Sequence, residues 1–433
     1  MSDEQDFKVS IDKRQSWVSI AMIWTGGMIC VPALMIGGLL GSSLSLGMII
    51  LSILIGFGIV SLYMIFMGMQ GSDLGLPTVS IAAATLGEKG AQFVISVLLA
   101  IACIGWFGVQ SAVCGVAFSA MMSGMTGVAI PAWLSAVIWG CIMLLTAMYG
   151  FKALKYLNYV AVPALVVVLL YALYMAVFRN DGFAKVLAHN PENPMSLVSG
   201  IGWVIASFAL GGAIASDYCR YAKNRGDVVK SSLAGVLPSG LIVLLIGASL
   251  VIVTGKSDIS TVLTDLGLPA VGLVALILAT WTTNVTNAYS GGIAVSNLFR
   301  VGEDKFKITT GIAGLIGTAF GAISILDTSD TFNQYFQSFL SLLSSFIPPV
   351  AGVMIAGYWL VGKGKPENFR AQPGISPTGI IAFVAGAAVA YVTGNVRPFF
   401  SPPVNGIVVA MLVYVVLHYA FASRKTVPAT PQA

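Results

Sequence analysis

Residues 15–72 and 90–151 contain no Asp, Glu, Lys or Arg, and eight further stretches share that property: 156–178, 193–216, 231–255, 266–299, 308–326, 331–362, 371–396 and 398–423. A helix needs about 20 apolar residues to cross the hydrocarbon core of a bilayer. The first two stretches are each long enough for two crossings and the others for one, which predicts twelve. The expected fold class is therefore an all-α polytopic membrane protein embedded in a lipid bilayer. Charged residues make up only 9% of the chain, against about 25% in a soluble domain. The net charge of +5 is spread over loops, so no nucleic-acid partner is expected.

An even number of spans places both termini on one side. Of the 22 basic residues, 18 then fall on that side, from Lys8, Lys13 and Arg14 to Arg424 and Lys425. The opposite side keeps Arg179, Lys185, Lys256 and Arg397. Basic loops stay in the cytoplasm, so both termini are expected there. Met1–Lys13 holds four acids and no apolar core, unlike a signal peptide. The tail Thr426–Ala433, with two prolines, is expected to be disordered. Loops are short, so residues 1–433 are expected to form one membrane domain.

Catalysis has little to work with. The five cysteines form no CxxC pair, and His189 and His418 are peripheral. No HExxH, GxSxG or phosphate-loop motif is present. An enzyme is not expected, and a channel filter is not visible. Alternating access needs only a polar site within the membrane and a helix bundle that moves.

Glycines suggest where that site lies. The first span carries Gly26-Gly27, Pro32 and Gly37-Gly38, and the sixth carries Gly211-Gly212. Glycine often serves only close helix packing. Its concentration in the first and sixth spans, however, matches carriers whose two inverted five-helix repeats each begin with a broken helix. The expected division is a cytoplasmic segment 1–14, a first repeat 15–178, a second repeat 193–362, two extra helices in 371–423 and a cytoplasmic tail 424–433.

Polar residues inside the spans are few. Trp106 and Gln110 are one helical turn apart and share a face. An aromatic plane beside an amide suits a flat heterocycle with polar edges, whereas the alternative is a packing Trp beside an amide that joins helices. Phe208, after Ser207, stands just before the expected break at Gly211, where freed backbone groups face a ligand. Span eight reads Ala279-Thr-Trp-Thr-Thr-Asn284-Val-Thr-Asn287. Threonines can bond back to their own helix, which accounts for one or two residues of this run. Oxygens of Thr282, Thr283 and Ala279, completed by backbone carbonyls freed within Gly26–Ile29, form an expected Na⁺ cage without a carboxylate. Asp217 is expected to pair with Arg220 and not to carry protons.

Gly105–Gly108 (GWFG), Ser207–Phe208, Ser216–Tyr221 (SDYCRY), Trp281–Asn284 (WTTN) and Ile347–Val353 (IPPVAGV) together resemble the nucleobase-cation-symport-1 family, and bacterial cytosine permeases within it. Gly75–Thr78 followed by Gly87–Gly90 resembles that family's loop between spans two and three. The resemblance implies a leucine-transporter-type 5+5 inverted repeat plus two C-terminal helices in a bacterial inner membrane. It implies a substrate stacked between Trp106 and Phe208, with Gln110, Ser207, Gly211 and Asn284 in the binding site. It also implies sodium ligands at Gly26, Ile29, Ala279, Thr282 and Thr283. Departures from the pattern stand at Ala279, Cys103 and Ala83. The expected function is cation-coupled import of a neutral planar nucleobase such as cytosine, with Na⁺ as coupling ion and the monomer as working unit. Hydantoin, allantoin and thiamine-precursor carriers, H⁺ coupling and an uncoupled facilitator are the alternatives.

Overall fold

A computed structural model of the chain describes residues 8–149, 154–179, 181–256, 261–263, 271–302, 305–326 and 329–425. The tail Thr426–Ala433 and the first seven residues lie outside them. Helices α1 (Trp17–Met28), α2 (Val31–Ser43), α3 (Leu46–Leu74), α4 (Thr78–Leu86), α5 (Glu88–Thr126), α6 (Ala132–Tyr149) and α7 (Leu154–Leu173) form the first half. After α8 (Gly182–Ala188) come α9 (Leu197–Ala213), α10 (Ala215–Cys219), α11 (Arg225–Thr254), α12 (Val271–Phe299), α13 (Phe306–Ser324), α14 (Ser329–Phe346) and α15 (Pro348–Ile355). The chain closes with α16 (Pro377–Asn395) and α17 (Pro402–Lys425). Among the described residues, β structure is limited to one bridge between Gln15 and Ala222.

The ten uncharged stretches fold as helical runs in the predicted order. Among the described residues, eight helices are long and apolar enough to cross a membrane, and α1 with α2 qualifies as a pair bent by 60°. The bend has a local cause. Pro32 stands near the start of α2, and the Cys30 N–H donates to Met28 O at 3.0 Å instead of to Gly26 O, its helical partner.

Two paired features make the first and sixth spans mirror images. Helix α1 starts at Ser16, whose hydroxyl accepts the Ser19 N–H; α9 starts at Ser196, whose hydroxyl accepts the Ser199 N–H. Each serine satisfies an orphan donor of a first turn. The directions are opposite. Met195 N–H donates to Ser43 O, placing the start of α9 at the end of α2, and Gln15 N–H donates to Tyr221 O, placing the end of α10 at the start of α1. The break in the sixth span flanks the glycines instead of falling on them. Phe208 (φ −131°, ψ 16°) and Ile214 (φ −97°, ψ 19°) leave helical geometry, while Gly211 and Gly212 remain within α9.

Helix α11 packs along α1, α2 and α3, and α9 packs on α3. A second group joins α5, α6, α12 and α13. Gly37 belongs to packing and not to a hinge: a Cβ there would stand 2.2 Å from Leu244 O of α11, as one at Gly247 would stand 2.1 Å from Leu34 O. The two groups of helices meet at the breaks in the first and sixth spans.

Candidate functional site

A cavity of about 180 Å³ lies at that meeting. Gly27, Met28, Cys30, Pro32, Ala33 and Ile36 line it from the first span, and Ser207, Phe208, Leu210 and Gly211 from the sixth. Trp106 and Gln110 face it from α5, and Thr283 and Asn287 from α12. Lys, Arg, Asp and Glu are all missing from this lining, so the cavity favours a neutral guest: an unpaired charge would lose its hydration without a counter-charge.

The two aromatic walls are held from behind. Trp106 meets the edges of Phe336 and Phe339, with centroids 6.1 and 5.2 Å away. Phe208 meets Trp24 edge-on at 6.0 Å, and Trp24 in turn meets Tyr218 at 4.8 Å. The non-helical backbone at Phe208 turns its ring over Gly211, where a Cβ would stand only 2.7 Å from ring carbons. Gly211 therefore acts by leaving room for the aromatic wall.

The polar groups divide into satisfied and unsatisfied ones. Ser207 Oγ donates to Val204 O at 2.6 Å. Gln110 is 2% exposed, and its Oε1 has no hydrogen-bond partner among the described residues. A buried amide oxygen without a donor costs about 1–3 kcal/mol, which a ligand N–H would recover. Asn284 does not reach the cavity. It is fully buried, and its Nδ2 donates to Phe107 O at 3.0 Å and to Ser111 Oγ at 3.2 Å, joining α12 to α5. Asn287 lines the cavity in its place and touches Asn284 Oδ1 at 3.4 Å. The correction was readable from helical spacing. Asn287 lies four residues after Thr283, on the same face, whereas Asn284 is turned about 100° away.

The polar run of α12 is largely self-satisfied. Thr280 donates to Leu276 O, Thr282 and Thr283 both donate to Ala279 O, and Thr286 donates to Thr282 O. Back-bonding thus covers four threonines, more than the one or two expected. It also gathers oxygens: Thr282 Oγ1 and Thr283 Oγ1 lie 2.9 and 3.0 Å from the Ala279 carbonyl. Rotating the hydroxyl protons outward would turn this triplet into an acceptor cluster. In the first span, Gly26 O has lost its helical donor at the bend, and Ile29 occupies the turn itself; of the five expected sodium ligands only Thr283 lines the cavity. The donor set contains only neutral oxygens, which fits a weakly held monovalent cation better than a divalent one. Among the described residues no group of three His, Cys, Asp or Glu side chains could hold a metal.

Charged groups cluster instead at one end of the helices. The Asp217 carboxylate accepts the Thr78 N–H at 2.7 Å, capping α4, while Arg220 Nε donates to the Asp217 main-chain carbonyl. Asp217 thus adds a helix cap to the expected electrostatic partnership with Arg220, because an orphan amide at a helix start attracts a carboxylate. Arg225 grips Asp73 through Nε and Nη2 at 2.6–3.0 Å. Tyr358 donates to the same carboxylate at 2.6 Å. Sequence reasoning also missed Met28, Cys30 and Ile36 as cavity residues; Cys30 stands at the bend.

Residues 10–419 match the model of a family described as permeases for cytosine/purines, uracil, thiamine and allantoin. The chain is 28% identical to the cytosine permease of Escherichia coli (strain K12), over 99% of this chain and 98% of that one. It is also similar to the inward-facing conformation of Mhp1, with a TM-score of 0.83, 21% identity and coverage of 96% and 93% of the two chains. Mhp1, a nucleobase-cation-symport-1 family transporter, in a closed conformation with bromovinylhydantoin bound superposes with a TM-score of 0.77, 22% identity and coverage of 98% and 96%.

Proposed function

Given that this chain belongs to the nucleobase-cation-symport-1 family, whose members are permeases and not enzymes, we propose that it imports a neutral planar nucleobase, cytosine or a close relative, together with Na⁺. The observation that carries this reading is the uncharged cavity between Trp106 and Phe208, lined also by Gln110, a buried amide whose oxygen has no donor among the described residues. Cytosine offers a flat face to the aromatic walls and N–H groups to that oxygen. A cavity of about 180 Å³ falls below the roughly 300–1,000 Å³ of sites for drug-sized ligands, which favours a free base over a nucleoside. Hydantoin and allantoin present similar N–H edges and form the second reading, favoured by the same amide.

Coupling to Na⁺ rests on the oxygen triplet of Ala279, Thr282 and Thr283 together with Gly26 and Ile29. Neutral oxygens exchange no proton near pH 7, whereas proton-coupled carriers use titratable groups within the membrane. When bound, the ion would hold the α1–α2 bend against α12 and so favour the arrangement that binds the base. The 18-to-4 charge bias supports cytoplasmic termini in a bacterial inner membrane, and we take the monomer as the working unit.

Reconstituted protein should accumulate radiolabelled base against its gradient when sodium is applied outside. Replacing sodium by choline should weaken base binding, and Thr282→Ala or Thr283→Ala should reproduce that loss. Sodium-independent uptake that collapses with a protonophore would overturn the choice of ion, and failure of all bases to compete would overturn the substrate class.

A further inference from the structure

A second cavity, of about 210 Å³, opens at the end of the molecule where α3 and α17 finish. It shares no lining residue with the substrate cavity. Its buried lining includes the hydroxyl residues Thr85, Tyr358 and Tyr414 and the amide Gln70, which is fully buried on α3. The Gln70 amide nitrogen donates to Phe66 O, but Oε1 has no partner among the described residues. Burial of an unpaired amide oxygen is costly, so this group, like Gln110, marks a place for a hydrogen-bond donor.

The rim has a different character. Lys365 and Arg370 are exposed at its edge, and the His418 ring, stacked near Tyr414, completes it. Arg370 Nη1 is occupied by the carbonyls of Glu367 and Phe369, which orients the guanidinium and leaves Nε and Nη2 for another acceptor. The segment carrying these cations is fastened: Gln372 donates through its main chain to Ala83 O at 3.1 Å and through its side chain to Ala84 O at 2.8 Å. Neither Asp nor Glu lines the cavity. Two cations at the mouth and an unpaired acceptor on Gln70 suit an anion that also carries a donor.

We propose that this cavity binds a glycerol phosphate, with the phosphate between Lys365 and Arg370 and a glycerol hydroxyl donating to Gln70 Oε1. Arginine recognises phosphate through paired N–H groups, and charge-assisted bonds are roughly twice as strong as neutral ones. The ligand reaches the site either as a free solute or as the headgroup of phosphatidylglycerol in the adjoining leaflet. Tyr358, in the helical turn Ala356–Val361 after α15, also lines the cavity and donates to the Asp73 carboxylate that Arg225 grips, so occupancy is felt where α3 and α11 are tied to that turn.

The test uses the purified full-length protein. Calorimetry with glycerol 3-phosphate reads the free solute, and native mass spectrometry from nanodiscs of phosphatidylglycerol and phosphatidylcholine reads the headgroup. Binding in either arm supports the proposal and assigns the source. The double variant Lys365→Glu with Arg370→Glu, confined to exposed positions, should weaken that binding by about tenfold or more. Gln70→Leu should remove the preference for glycerol phosphate over inorganic phosphate while leaving inorganic phosphate binding in place. Absence of binding in both arms, or charge reversal without effect, overturns the site. A Gln70→Leu protein that still prefers glycerol phosphate overturns the role of Gln70.

Discussion

Gln110 and Asn284 are both buried amides, on the neighbouring helices α5 and α12, and the structure treats them oppositely. Asn284 is enclosed and bonded to Phe107 O and Ser111 Oγ, so its polarity joins two helices. Gln110 is nearly as enclosed but leaves its oxygen without a donor at a cavity wall. A satisfied polar group specifies packing, whereas an unsatisfied one facing space specifies a guest. Burial and residue type alone would not separate the two.

The largest effect should come from the wall that Gln110 accompanies. Trp106→Ala should weaken base binding by roughly five- to 150-fold, from the 1–3 kcal/mol per base that aromatic stacking contributes, read by equilibrium binding of labelled cytosine. Near-normal affinity would remove the cavity from the ligand's path. Next comes the satisfied amide. Asn284→Leu should lower stability by about 1–3 kcal/mol, seen as a lower melting temperature in detergent, with the order of competing bases unchanged. A reordered competition profile at unchanged stability would reverse the contrast.

Gln110→Leu should do the opposite. Removing an unpaired oxygen should leave the melting temperature unchanged or higher, while ligands lose about 0.5–1.5 kcal/mol for the missing bond and compete in a new order. Melting as low as that of Asn284→Leu would show that the two amides play one role. Ser207→Ala should have the smallest effect. Its hydroxyl is already donated to Val204 O, so binding should change by less than about twofold, on the order of ±0.5 kcal/mol. A tenfold loss would mean that the hydroxyl leaves its own helix to meet the base.

Much of this arrangement was legible in the residues. Charge-free stretches marked the spans, because an unpaired charge in hydrocarbon is costly at any position. Pro32 and the paired glycines located the bend in the first span, and one-turn spacing put Trp106 and Gln110 on a common face. The same rule applied to Thr283 would have chosen Asn287 over Asn284. Other features were not readable. The break in the sixth span falls on Phe208 and Ile214, with the Phe208 ring lying over Gly211 and Trp24 of α1 against it, a contact between distant segments.

By itself, then, the sequence determined that the chain is an all-α polytopic membrane protein and that its first span is interrupted. These properties follow from local chemistry: transfer of charges into lipid, missing N–H groups at proline, and helical periodicity. Tertiary structure alone decided that Gln110 lines the cavity while Asn284 is enclosed between helices, and that Met28, Cys30 and Ile36 form one wall of the cavity. It also decided that Gly37 packs against α11 instead of bending α2. Those outcomes depend on how each helix is rotated against its neighbours, and that rotation is set by the combined packing of α5, α6, α12 and α13 on one side and α1, α2, α3, α9 and α11 on the other.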